Sequence, residues 1–149
     1  MLYTQALNRF IKYLAVEKGY SPLTIKEYTN DLQLFHRYLL ENCRYPEDFE
    51  VKQISRYDIT DFLADSILVD ENSPVTRNRK LYSIRSFFKY LQKNEIIKEN
   101  PALLIEASKT EIRSEPIYMK LDEARRYIDA IIKEKGINRT RDLAIVKLF

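Results

Sequence analysis

The sequence predicts an all-α protein, and three observations point there. Apolar residues recur every three or four positions in one segment after another, the period of a helix with one buried face. Only two glycines occur in 149 residues, too few for a β-rich fold with many tight turns. No segment reads as a strand on its own.

The first helix is expected from about residue 2 to Lys18, with Tyr3, Leu7, Phe10 and Leu14 as its stripe and Ile11 widening it. Lys18 in the last turn and Gly19 just beyond it are ordinary helix-stop chemistry. A second helix follows over residues 21–43. Ser21 suits the N-cap, and Pro22 suits the first helical position, where its missing N–H costs nothing. Ile25, Tyr28, Leu32, Phe35 and Leu39 form its apolar stripe; Lys26, Asn30, Gln33 and Arg37 lie opposite, with Thr24 in the first turn. The Thr24 hydroxyl can join backbone N–H groups in holding a phosphate, or it can simply support the first turn; both readings stand.

Residues 43–53 read as a loop containing Pro46, Glu47, Asp48 and Glu50. A third helix begins with Ser55 and Asp58, a capping box in which Asp replaces the usual Glu or Gln. Ile59, Phe62, Leu63 and Ile67 should face inward. Asp58, Asp61, Asp65, Asp70 and Glu71 make this segment acidic, so it is expected to face away from any anionic partner.

The fourth helix, residues 74–94, is the element that points to function. It holds Arg77, Arg79, Lys80, Arg85, Lys89 and Lys93 and no carboxylate, a net charge of +6 in a chain of net charge +3. Leu81, Ile84, Phe88 and Leu91 form its apolar face. Arg79, Tyr82, Ser86, Lys89 and Lys93 fall opposite, with Asn78 and Arg85 on the flank and Arg77 toward the core side. Charged helix faces usually mix signs, because opposite charges four residues apart support the helix. Six cations without that support fit a polyanionic partner, nucleic acid being the commonest; an ordinary solvated face is the competing reading.

Beyond Asn94 the helical pattern breaks at Asn100-Pro101. Residues 106–119, interrupted by Pro116, read as an extended linker. A further helix is expected near Leu121, with Ala124, Tyr127, Ile128, Ile131 and Ile132 as its stripe and Lys135-Gly136 as its end. A last amphipathic pattern starts near Thr140 and carries Leu143, Val146 and Phe149; stopping on such a stripe reads as truncation inside a larger domain.

Composition excludes several classes of function. Cys43 is the only cysteine and His36 the only histidine, so neither a disulfide, a thiolate cluster nor a histidine-based metal site is expected, and no cofactor is called for. No apolar run approaches the roughly 18 to 20 residues that span a membrane, and the first residues lack the pattern of a signal peptide. A cytoplasmic protein without a membrane partner is the expectation.

The segments FIKYLAVEKGYSPLTIKEYTNDLQLFHRYL, ISRYDITDFL and VTRNRKLYSIRSFFKYLQKNEIIKENPA, in that order, resemble the N-terminal core-binding domain of the tyrosine recombinases, the phage-integrase and Xer-like group. Pro116, YMKLDEARRYIDAI and RTRDLAIVKLF are similar to the entry into that family's catalytic domain, although Lys120 stands where the family more often has a Ser or Thr cap. The resemblance implies a four-helix SAM-like domain over residues 1–105, a linker over 106–119 and the first helices of a catalytic domain over 120–149. It also implies that the second and fourth helices lie against double-stranded DNA at a recombination core site. The implied contacts are Thr24, Lys26, Arg37, Arg77, Arg79, Lys80, Tyr82, Arg85, Ser86 and Lys89. Most would touch phosphate; Arg79, Tyr82, Ser86 and Lys89 are the base-edge candidates.

The family's catalytic arginines, lysine, histidines and tyrosine nucleophile occupy motifs expected beyond Phe149, and none of the eleven tyrosines sits in the nucleophile's context. The chain is therefore expected to be a non-catalytic, monomeric DNA-binding fragment of a recombinase whose full-length form cuts and rejoins DNA as a tetramer. A stand-alone helical regulator and a helical protein–protein interaction module are the alternatives.

Overall fold

The computed structural model describes residues 1–110, 119–133, 136 and 138–148. Its helices are α1 (Tyr3–Val16), α2 (Pro22–Glu41), α3 (Arg56–Leu68), α4 (Pro74–Lys93), α5 (Leu121–Lys133) and α6 (Arg139–Leu148). A single 3-10 turn at Val51–Gln53 lies in the expected loop, and one isolated antiparallel bridge joins Leu2 to Glu50. The chain divides into two units, Met1–Thr110 and Glu111–Phe149.

Local chemistry sets the helix ends of the first unit. The α2 and α4 helices start with the same Ser-Pro-x-Thr sequence and the same cap. Ser21 Oγ accepts from the Thr24 N–H and Ser73 Oγ from the Thr76 N–H, each at 3.2 Å. The Ser and Thr hydroxyls of each pair meet at 2.9 and 3.1 Å. The α3 capping box closes as the sequence predicts, with the Ser55 N–H donating to Asp58 Oδ2 at 2.7 Å, and the Tyr45 hydroxyl adds a bond to that oxygen at 2.9 Å. Between α1 and α2 the chain reverses at Gly19, whose φ of 62° lies in the left-handed region. The reversal lets the Tyr20 N–H reach the Leu14 carbonyl at 3.1 Å.

Packing centres on α4, which contacts α1, α2 and α3. Leu81, Ile84, Phe88 and Leu91 are buried as the periodicity predicts. With a helix on each of three sides, burial also takes in Asn78, Lys80, Ser83 and Phe87. Aromatic rings fill the centre. Phe87 lies 5.4 Å from Phe10, 5.5 Å from Tyr3 and 5.5 Å from Phe88 between ring centroids. His36 stacks on Tyr3 at 4.7 Å, and burial holds its imidazole below the usual histidine value. In α3 the buried position expected of Ile67 goes to Ser66, whose hydroxyl bonds back to the Leu63 carbonyl at 2.9 Å; Ile67 is half-buried.

The segment after α4 folds back on the first unit, burying Ile97, Ala102 and Ile105. Residues 106–110, expected as the start of a linker, lie along the first turns of α4. The Asn78 amide exchanges two hydrogen bonds with the Ser108 backbone at 2.8 and 2.7 Å, and Arg77 donates to the Glu106 carbonyl at 3.3 Å. The rest of the expected linker up to Tyr118, including Pro116, lies outside the described residues.

In the second unit α5 packs on α6. Ile131 is buried, Ala124 and Ile128 are half-buried, and Tyr127 and Ile132 are exposed. The Lys120 N–H donates to Glu123 Oε2 at 2.9 Å, so a glutamate two residues into α5 caps its start from within. Leu143 and Val146 of α6 are half-buried; Lys135 and Phe149 lie outside the described residues. Among the described residues, no helix is long and apolar enough to cross a membrane, and no cluster of three His, Cys, Asp or Glu could hold a metal ion.

Phe87 is the α4 core residue that the apolar stripe alone does not identify. Phe87→Ala should cost about 3–5 kcal/mol by urea unfolding, because the surrounding rings cannot close the cavity. Ser73→Ala, which removes one cap, should cost only about 1 kcal/mol.

Candidate nucleic-acid interface

The polar faces of α2 and α4 carry the residues that the sequence singles out, and the structure separates free cations from committed ones. On α2, Lys26 and Arg37 are exposed and form no ion pair among the described residues. Thr24 is half-buried and tied to Ser21 through both its N–H and its hydroxyl, so the first-turn role is present. On α4, Arg79, Tyr82 and Lys89 are exposed and Ser86 is half-buried, as expected for the face opposite the core.

Lys80 is not on that face. It is only 4% exposed, with its ammonium 5.3 Å from the centroid of the Phe62 ring and 3.7 Å from Asp70 Oδ2. Packing of α3 against this side of α4 turns the residue inward, and its long aliphatic stem lets the charge reach the rim. Asn78, expected on the polar flank, is likewise buried against Ser108. Arg77 and Arg85 spend their guanidinium groups on the segment that follows α4. Arg85 Nε donates to the Ala102 carbonyl at 3.2 Å and Nη2 to the Ile105 carbonyl, while its guanidinium carbon lies 5.8 Å from the Tyr82 ring centroid.

Arg79 has a different environment. Its Nη1 donates to Glu27 Oε2 at 2.9 Å and to Asp31 Oδ2 at 2.8 Å, and the Ser83 hydroxyl donates to the same Asp31 oxygen at 2.7 Å. Asp31 is completely buried, and its Oδ1 has no hydrogen-bond partner among the described residues. Two carboxylates more than neutralise Arg79, so it is poorly suited to attract phosphate. They also hold the guanidinium in one orientation, with Nη2 and Nε making no hydrogen bond among the described residues. A fork fixed in this way suits a planar acceptor pair better than a diffuse charge.

Asp31 and Glu27 are the members of this arrangement that the sequence reading misses. A signal was present: Asp31 stands three residues after Tyr28 and four before Phe35, inside the apolar stripe of α2. A carboxylate there must be paired, because an unpaired buried charge is costly. The tyrosines show no sign of nucleophilic activation where their environment shifts them. Burial pushes the hydroxyls of Tyr3, Tyr28 and Tyr38 up, and that of Tyr45 up to about 12.

Residues 7–95, which span most of α1 and all of α2, α3 and α4, match the family described as phage integrase, N-terminal SAM-like domain. The tyrosine recombinase XerC of Caldanaerobacter subterraneus subsp. tengcongensis is 35% identical over 99% of this chain, and that of Thermodesulfovibrio yellowstonii 31% identical over 96%. The chain spans about 45% and 44% of the length of these two relatives. Among solved structures, a lambda integrase(75-356) dimer bound to a COC' core site superposes with a TM-score of 0.65 at 18% identity, covering 91% of this chain and 43% of that one. The XerA recombinase superposes with a TM-score of 0.52 at 24% identity, covering 96% of this chain and 44% of that one. At these identities the two superpositions establish the helical fold.

The Asp31 site has a signature in the pH dependence of stability. Burial raises its carboxyl above the ordinary value of 3.8, against the lowering effects of the Ser83 hydroxyl and the Arg79 and Lys80 cations. The folded chain therefore holds this proton more tightly than the unfolded chain. The contribution of Asp31 to stability is largest below 3.8 and falls as pH rises through the raised folded value. In urea unfolding at successive pH, the stability of the parent relative to Asp31→Asn should decline across that window. A rise would mean that the Arg79 pair outweighs the burial.

Proposed function

Since this chain belongs to the phage integrase N-terminal SAM-like domain family, we propose that it binds double-stranded DNA at one half-site of a recombination core site. The unit Met1–Thr110 is the core-binding domain, and residues 120–149 are the opening of a catalytic domain whose reacting residues belong to other segments of the full-length protein. That protein cuts and rejoins DNA through a phosphotyrosyl intermediate, needs neither metal nor nucleotide, works in the cytoplasm and assembles as a tetramer on its site. The chain alone is monomeric and non-catalytic.

The observation that carries this reading is the set of uncompensated cations on the two helices. Lys26 and Arg37 on α2 and Lys89 and Lys93 on α4 are exposed and have no carboxylate partner among the described residues. They neutralise phosphate. Arg79, held by two carboxylates, reads a base edge, with Tyr82 and Ser86 beside it on the same face; a fixed guanidinium fork matches guanine O6 and N7. Arg77, Lys80 and Arg85 support the fold and contribute through the general field. Thr24 contributes through the α2 N-terminus. The core-site DNA in the lambda integrase structure supports the choice of duplex DNA over another polyanion.

Fluorescence anisotropy with random-sequence duplex DNA a few helical turns long, at several salt concentrations, tests the reading. With four to six phosphates neutralised, log K should fall against log salt with a slope of roughly −3.6 to −5.4. A slope near zero would reject it. Lys26→Glu with Lys89→Glu should abolish binding and leave helicity unchanged. Reversing Arg79 instead would set a third carboxylate against Asp31 and Glu27 and confuse loss of binding with loss of fold. Unchanged DNA affinity in the double variant would favour an acidic protein partner.

A further inference from the structure

We propose that a cleft between the end of α1 and the C-terminal half of α4 seats one backbone phosphate of the bound duplex, through Lys18, Lys89 and Lys93. The inference rests on the DNA-binding reading above and extends the interface to α1, an element that neither the sequence pattern nor the family resemblance places on the DNA. The cleft holds about 190 Å³ and is lined by these three lysines together with Tyr13, Leu14, Tyr20, Ser86 and Tyr90. A small polar cleft of this kind suits a hydrated phosphate group.

Electrostatics identify the occupant. The Lys18 ammonium lies 5.9 Å and the Lys93 ammonium 5.7 Å from the centroid of the same Tyr13 ring, so the two cations gather around one aromatic group. Among the described residues, no carboxylate lines the cleft and none of the three lysines pairs with one. The ring offsets part of this positive charge, and an anion held in the cleft would offset the rest.

The other four cations of α4 are already committed: Arg79 to two carboxylates, Lys80 toward Asp70, and Arg77 and Arg85 to backbone carbonyls. The uncompensated positive charge of α4 therefore sits toward its C-terminal half, where Lys89 and Lys93 meet Lys18. Lysine ammonium groups are compact point charges without the bidentate fork that reads a base edge, and cations already occupy the surroundings of the Tyr13 ring. The chemistry is that of phosphate neutralisation rather than base readout or stacking.

The test is the salt dependence of binding to random-sequence duplex DNA by the chain carrying Lys18→Gln and Lys93→Gln. The control carries Lys52→Gln and Lys98→Gln, the same charge change at exposed lysines lining a different cleft. Circular dichroism confirms that both fold. Loss of one phosphate contact should make the slope of log K against log salt shallower by about 0.9, or about eight-fold weaker binding at 0.1 M if the curves meet near 1 M. The control should keep the parent slope. If the Lys18/Lys93 variant and the control share one slope while the parent binds with the full salt dependence, the phosphate seat is wrong and the DNA-binding reading stands. If the parent does not bind duplex DNA even at low salt, both fail together.

Discussion

The packing of α4 against α1, α2 and α3 at once is the constraint on which the rest of the first unit depends. A helix touched on three sides keeps only a narrow strip for solvent. Each of its six cations must therefore reach that strip, find an anion or donate to a carbonyl oxygen. Lys80 illustrates the pressure: its stem is buried against Phe62 while its ammonium extends toward Asp70 at the rim. Arg77 and Arg85 take the other way out and use backbone carbonyls of the chain that follows α4. Basic side chains thus hold residues 102–106 on the helix, and Asn78 extends the attachment through its paired bonds with Ser108.

The buried carboxylate of Asp31 couples α2 to α4. Its Oδ2 takes bonds from Arg79 and Ser83, both on the facing helix. A buried ion pair contributes little net stability, because desolvation consumes most of the Coulomb gain, yet breaking it leaves an uncompensated charge. A sliding of α2 along α4 would break it. The interaction therefore acts on register, holding the polar faces of the two helices in one relation. The twin Ser-Pro-x-Thr caps serve a similar end by setting where each helix starts. The two faces proposed to meet the duplex are fixed both along their axes and against each other.

The amino-acid sequence by itself determined the helices and most of their buried stripes, because both follow from local period and capping. Ser21, Pro22, Ser55 and Asp58 act within one turn, so neighbouring residues suffice to read them. The placement of Arg79, Tyr82, Ser86 and Lys89 opposite the core also follows from helical geometry alone. Tertiary structure decided how much more of each helix is buried and which charges are free, since both depend on residues distant in sequence. Phe87 and Lys80 are buried because α4 has three neighbours rather than one. Arg79 is neutralised by carboxylates 48 and 52 residues away. Lys18 joins Lys89 and Lys93 only because the end of α1 rests beside the last turns of α4. A wheel drawn on one helix assigns each residue a direction; the partner found in that direction is supplied by the fold.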